Sequence, residues 1–181
     1  MLLALDLSTK TGWALFDGEK LSEYGFFSAP PSALEYPWNY LQTAKNIGLL
    51  VGDLVSKYQP TKIVVEEINR GKNRHSQKLL DMLHCVMLQT LEWRDVSYID
   101  TSAWRKHLGL KLTKEQRANN KLSKSQKKSR GIKGKITPKH LSVDFVNKKY
   151  SLNLKQKDND IADAVCIGLA AVTGCPKSTP A

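Results

Sequence analysis

The sequence predicts an α/β domain built on a mixed five-stranded sheet flanked by helices and carrying a basic, flexible insertion. Three observations predict it. Short apolar runs at Leu2–Leu5 and Ile63–Val65 have strand length, and each ends in a carboxylate, Asp6 or Glu66. Longer stretches between and after them space their apolar residues at helical intervals. From Gly109 to Lys135 the apolar periodicity stops, and the chain becomes polar, basic and glycine-punctuated.

The elements follow in order. After the first strand, Thr11-Gly12 is expected to turn the chain, and Trp13–Phe16 returns as a second strand. Asp17-Gly18 is a hairpin signal, so Lys20–Ser28 reads as a third strand, antiparallel like the second. Ala29-Pro30-Pro31-Ser32 breaks the pattern. A helix is expected from about Leu34 to Tyr58, with Leu41, Ala44, Ile47, Gly48, Val51, Leu54 and Val55 on one face. Gln59-Pro60-Thr61 stops it, and Lys62–Asn69 holds a strand covered on both faces. A helix over about 76–93 and a short strand Val96–Ile99 come next. Asp100-Thr101-Ser102 can cap a short helix through Trp104 to Leu108. Thr137-Pro138 starts a helix to about Tyr150, with threonine as cap and proline in the first turn. The last helix, Asp158–Ala171, is rich in small residues and suited to lie close on the sheet. One domain is expected over 1–175, with the basic arm at about 109–135 and a loose tail at 176–181. No internal repeat stands out.

The 181 residues carry a net charge of +11, with a pI near 9.6, which suggests an anionic partner. The charge is concentrated: from Arg105 to Lys139 the only acid is Glu115, among thirteen Lys and Arg, so the rest of the chain is close to neutral. Cys85, Cys166 and Cys175 are far apart and lack zinc-site spacing, so they read as reduced packing residues. The scattered His75, His84, His107 and His140 argue against a histidine-based metal site. No apolar stretch reaches membrane-spanning length, and a cytoplasmic protein with no membrane partner is expected.

The carboxylates carry the chemistry. Burying a lone carboxylate is costly unless a cation or hydrogen-bond donors offset it. Asp6 therefore either faces a metal or accepts bonds from the turn at Ser8–Thr11. Asp160 and Asp163, three residues apart, project from one helix face, which continues as Ile167 and Ala170 towards the core. Asp6, Glu66, Asp160 and Asp163 together would repel one another unless cations sat among them. Two Mg²⁺ ions about 3.5–4 Å apart, with Mn²⁺ as substitute, suit such an all-oxygen set and the hydrolysis of a phosphodiester. Alternation points Glu67 away from Glu66.

A strand with Asp followed by Thr-Gly, a hydrophobic strand ending in Glu, and a late helix with Asp-x-x-Asp-Ala resemble the Holliday-junction resolvases of the RuvC type, within the RNase H-like superfamily. The resemblance spans roughly residues 2 to 172. It implies an RNase H-like sheet and a Mg²⁺-dependent, usually homodimeric endonuclease. Such an enzyme nicks opposed strands of a four-way DNA junction and leaves 5′-phosphate and 3′-hydroxyl ends. It also implies Asp6, Glu66, Asp160 and Asp163 as metal ligands, with Lys106 and Lys139 at DNA near the scissile phosphate. Leu7-Ser8 replaces the Pro-Gly that cellular members usually carry, and Asn69 stands where they often have an aromatic residue. The longer, more basic insertion looks like a phage or plasmid version, which would place the protein in a host cytoplasm.

Further DNA contacts are expected from Arg70, Lys72 and Arg74 beside the site, from Arg105, and from Lys121, Lys124, Lys127, Lys128, Arg130, Lys133 and Lys135 of the arm. Helical faces around Leu79–Met87 are candidates for the dimer surface, or for packing on their own sheet. Trp13, Trp38, Trp93 and Trp104 read as core or interface anchors, and His140 as a residue of a capping turn. Alternatives are a nuclease of the same fold acting on flaps, branches or duplex DNA, a DNA-binding protein without catalysis, and an actin-like ATPase. The last would need a second phosphate loop, which the sequence lacks.

Overall fold

Residues 1–68, 73–92, 94–132 and 134–178 are described by the structure, a computed structural model. Five strands form, β1 (Leu2–Asp6), β2 (Lys10–Asp17), β3 (Lys20–Ser28), β4 (Lys62–Glu66) and β5 (Val96–Ile99). They make one sheet in the order β3-β2-β1-β4-β5, antiparallel from β3 to β1 and parallel from β1 to β5. The expected mixed five-stranded sheet is therefore present. The first turn differs from expectation: it lies at Leu7–Thr9, and Thr11 and Gly12 belong to β2. The Thr11 hydroxyl closes that turn by donating to the Ser8 carbonyl at 2.6 Å, which lets pairing begin at Lys10.

The helices are α1 (Trp38–Tyr58), α2 (Arg74–Leu91), α3 (Thr101–His107), α4 (Lys114–Lys121), α5 (Lys124–Ser129), α6 (Pro138–Tyr150) and α7 (Asn159–Val172). Strand alternation sorts the core into two layers. Leu3, Leu5, Leu15, Ile63 and Val65 pack with α1 and α2, while Ala4, Ala14, Phe16, Val64 and Ile99 pack with α3, α6 and α7. Each fully buried large aliphatic side chain here is worth on the order of 1.5–3 kcal/mol. A one-residue slip of β1 would exchange alanine for leucine beneath α7, so the pattern holds the register. Gly168 completes this fit, since a Cβ there would press on Phe16 and on the Ala4 methyl.

Helix boundaries moved for local reasons. α1 starts at Trp38 because Pro37 occupies its cap position, and α2 starts at Arg74 because the Asn73 side chain accepts from the His75 and Ser76 amides. Leu83 and Met87 are buried in the chain's own core, so this part of the 79–87 face packs on its own sheet. Trp104 is buried and Trp13 partly so, but Trp38 is 62% exposed and is no core anchor; Trp93 lies outside the described residues. Cys166 and Cys175 pack inside, whereas Cys85 is exposed.

The basic insertion corrects a second expectation, because it is not free of structure. Thr113 and Ser123 each accept from the amide three residues on, Gln116 or Gln126, whose side chain returns to the cap amide. These capping boxes start α4 and α5 although neither helix buries a residue. They also mark a ten-residue near-repeat, with Leu112-Thr113-Lys114-x-Gln116 echoed by Leu122-Ser123-Lys124-x-Gln126. The Asn120 side chain donates to the Ile136 carbonyl at 2.6 Å and accepts its amide at 3.0 Å, tying α4 to the start of α6. The tail is likewise held as far as Ser178, whose amide donates to the Tyr98 carbonyl at 2.9 Å. Among the described residues, no helix is long and apolar enough to cross a membrane.

Candidate active site

The parallel pairing of β1 with β4 sets Leu5 opposite Val65, so Asp6 and Glu66 leave the sheet side by side at the strands' carboxyl ends. On its other flank Asp6 pairs with Gly12 of β2. There α7 crosses so closely that a Cβ on Gly12 would overlap the Asp160 carbonyl and stand 2.9 Å from the Ile161 nitrogen. Gly12 thus admits the first turn of α7, with Asp160 and Asp163, beside Asp6. Sheet and helix bring together acids far apart in sequence.

The local field reflects this crowding. Burial, then repulsion from Glu66, Asp163 and Asp160, pushes the Asp6 carboxyl well above the usual carboxylate range, and Lys139 only partly offsets it. Among the described residues, no hydrogen bond or ion pair reaches the Asp6 side chain. Asp163 is 3% exposed, and burial raises its pKa while Arg105 and Ser142 pull it back. Its Oδ2 accepts from Arg105 at 3.1 Å, but its buried Oδ1 has no hydrogen-bond partner. Glu66 Oε1 accepts from the Thr101 hydroxyl at 2.6 Å and from Trp104 Nε1 at 3.0 Å. Asp160 meets Lys10 Nζ at 3.0 Å and Lys139 Nζ at 3.6 Å.

Lysine and arginine thus supply countercharge to Asp160 and Asp163 only, and among the described residues no cation pairs with Asp6 or Glu66. Among the described residues, no three acids, histidines or cysteines are placed so that, as they stand, they could hold a metal ion together. The donor set nonetheless fits hard cations: every group is a carboxylate oxygen, and an unpartnered buried one, Asp163 Oδ1, stands ready. Glu67 is exposed and its carboxylate accepts from Ser178, away from the other acids.

The expected DNA-contacting residues distribute unevenly. Arg70, Lys72 and Lys133 lie outside the described residues. Arg74 is exposed in the first turn of α2, and Lys106 is exposed on α3. Arg105 instead turns inward: besides Asp163 it donates to Ser142 at 3.2 Å, and its guanidinium lies 4.2 Å from the Trp104 ring centroid. Lys121, Lys124, Lys128, Arg130 and Lys135 are exposed and Lys127 is partly buried. Lys124, Lys127, Lys128 and Lys135 border a concavity of about 460 Å³. Lys139 donates to Asn159 Oδ1 at 2.5 Å, beside Asp160. His140 Nδ1 accepts the Thr137 amide, a capping role.

Sequence reasoning passed over Lys10, Thr101 and Trp104. Lys10 had a signal, since it stands just across the short turn that follows Asp6. Trp104 had none, because its role depends on contact with a residue thirty-eight positions away.

No family model and no curated protein matches the chain. Solved structures do. Thermus thermophilus RuvC aligns at a TM-score of 0.63 and 13% identity, covering 97% of this chain and 98% of that one. The same protein in complex with a Holliday junction substrate gives 0.58 and 13%, with 98% of each chain covered. The yeast mitochondrial Holliday junction resolvase Ydc2 gives 0.54 and 12%, covering 94% of this chain and 77% of that one. Almost the whole chain therefore has the RNase H-like fold of RuvC-type resolvases.

Proposed function

We propose that this chain is a structure-selective DNA endonuclease that resolves four-way junctions by two-metal-ion phosphodiester hydrolysis, leaving 5′-phosphate and 3′-hydroxyl ends. The observation that carries the proposal is the convergence of Asp6, Glu66, Asp160 and Asp163, two of them with side-chain pKa values raised by burial. The shared fold supports it, since one similar protein was solved with a Holliday junction substrate.

Mg²⁺ or Mn²⁺ held by these four carboxylates would neutralise the scissile phosphate and activate water for attack. The chain's own residues prepare that site. Gly12 lets α7 seat against β2, and the sheet keeps Asp6 beside Glu66. Lys10 and Lys139 pair with Asp160 and would offer their charge to an incoming phosphate. The lysines of α4 and α5 add grip on the DNA backbone, which carries affinity but little sequence information. Selectivity for junctions would come from a homodimer holding two sites on opposed strands. The outer face of α2, where Leu88 is exposed, is the proposed contact.

The test is cleavage of a synthetic four-way junction beside matched flap and duplex with Mg²⁺. Paired symmetric nicks in the junction alone, lost in Asp6→Asn while binding persists, are expected. Equal cutting of all three substrates would reduce the function to a general RNase H-like nuclease. Tight binding without cutting in Mg²⁺ or Mn²⁺ would overturn catalysis altogether.

A further inference from the structure

Two adjacent residues of α3, Trp104 and Arg105, reach two different acids on two different elements. Trp104 Nε1 donates to Glu66 Oε1 at the end of β4, at 3.0 Å. Arg105 donates to Asp163 Oδ2 on α7, at 3.1 Å. In both acids the same division results: one oxygen is tied and the other is left open. Glu66 Oε1 takes both the Thr101 and Trp104 bonds, and none reaches Oε2 among the described residues. Asp163 Oδ2 takes the guanidinium, and the buried Oδ1 is unpartnered.

The two donors are themselves held. Trp104 is fully buried, and the guanidinium of Arg105 packs on its ring while a second nitrogen donates to Ser142 on α6. Asp100 caps the helix through the amides of Ser102 and Ala103 at 2.8 and 3.0 Å. A rigid donor fixes the rotamer of the carboxylate it binds, so the open oxygen points one way rather than sampling several.

We propose that Trp104 and Arg105 are positioning residues that preset Glu66 and Asp163 to offer one oxygen each to a divalent cation. This rests on the metal-dependent function proposed above. Trp104 acts through an indole N–H, which Trp104→Phe removes together with part of a buried ring, so weaker cation binding counts for the positioning role only where melting shows the variant folded. Arg105 acts through its two-pronged geometry, so lysine, which keeps the charge but loses the fork, should not replace it.

The experiment measures Mn²⁺ binding to the intact chain by calorimetry for wild type, Trp104→Phe, Arg105→Lys and Asp6→Asn, with melting of each metal-free protein as the check on folding. Trp104→Phe and Arg105→Lys are expected to fold and to bind Mn²⁺ at least about tenfold more weakly than wild type. The Mg²⁺ concentration for half-maximal cleavage should rise in proportion, with cleavage recovering at saturating Mg²⁺, which a merely structural defect would not allow. Affinities within twofold of wild type for both variants, while Asp6→Asn loses binding, would overturn the positioning role and leave the metal site standing. Wild type binding no more tightly than Asp6→Asn would overturn the metal site itself, and the positioning role with it.

Discussion

Gly12 and Asp160 meet backbone to backbone: the α-carbon of Gly12 faces the Asp160 carbonyl with no room for a methyl group between them. Gly12 is also the cross-strand partner of Asp6. One missing side chain therefore sets the separation between an acid of the sheet and the acids of α7.

Gly12→Ala should force α7 off the sheet. Overpacking of this kind costs about 1–3 kcal/mol, which corresponds to a drop of roughly 2–12 °C in melting temperature for a chain of this size. Nuclease activity should fall much further than stability, because Asp160 and Asp163 move with the helix. The control is Gly18→Ala, in open space at a φ of +57°, where only backbone strain of about 1 kcal/mol applies and activity should survive. Equal loss of activity in both variants would refute the role given to Gly12.

Asp6 makes the metal-free protein sensitive to pH. Its folded-state pKa is raised, so the folded chain holds this proton more tightly than the unfolded chain does. Its contribution is neutral below the ordinary carboxylate range. It turns destabilising as pH climbs from there through the raised folded value. Asp6→Asn should therefore raise the melting temperature of the metal-free protein at pH 7, and the gain should vanish near pH 3. Mn²⁺ should stabilise the wild type and leave Asp6→Asn unmoved. Melting curves at several pH values decide it, and a variant less stable than wild type at pH 7 would contradict the electrostatic account.

Replacing Lys124, Lys127 and Lys128 with glutamine should weaken DNA binding and flatten its salt dependence. Each lost phosphate contact removes about 0.9 from the slope of log K against log salt on duplex arms, so the triple variant should lose roughly 2–3. Discrimination between junction and duplex should change little, since phosphate contacts position without specifying. An unchanged slope would exclude the arm from the interface.

The arm helices hang on their caps. Thr113→Ala and Ser123→Ala should each cost about 1 kcal/mol of local helix stability. Amide exchange within α4 or α5 should then quicken by about fivefold, while the global melting temperature stays put because neither helix buries a residue. Uniformly unchanged exchange would mean that the caps do not hold these helices.

Most of the sheet was legible because strand signals are local: Ile63–Val65 is a continuous apolar run, and Asp17-Gly18 closes a hairpin. The acids were legible because each interrupts or ends an apolar pattern. The turn after Asp6 was misplaced since Thr11-Gly12 has turn chemistry, yet Gly12 is needed in β2 for its lack of a side chain. The arm was misjudged because its helices have no apolar face, although the Thr113/Gln116 and Ser123/Gln126 capping boxes were there to be read.

The sequence by itself determined the order of the strands and of the helices outside the arm, the small-residue face of α7 and the four acids proposed as ligands, because periodicity and composition act between near neighbours. Only the tertiary structure decided which donor faces which acid. Lys10 meets Asp160, Trp104 meets Glu66, and Arg105, expected from the sequence to contact DNA, pairs with Asp163. Those pairings join residues that no repeat or spacing connects. They exist because β1, β4, α3 and α7 end at one place, and a buried carboxylate there takes whichever donor the packing brings within about 3 Å.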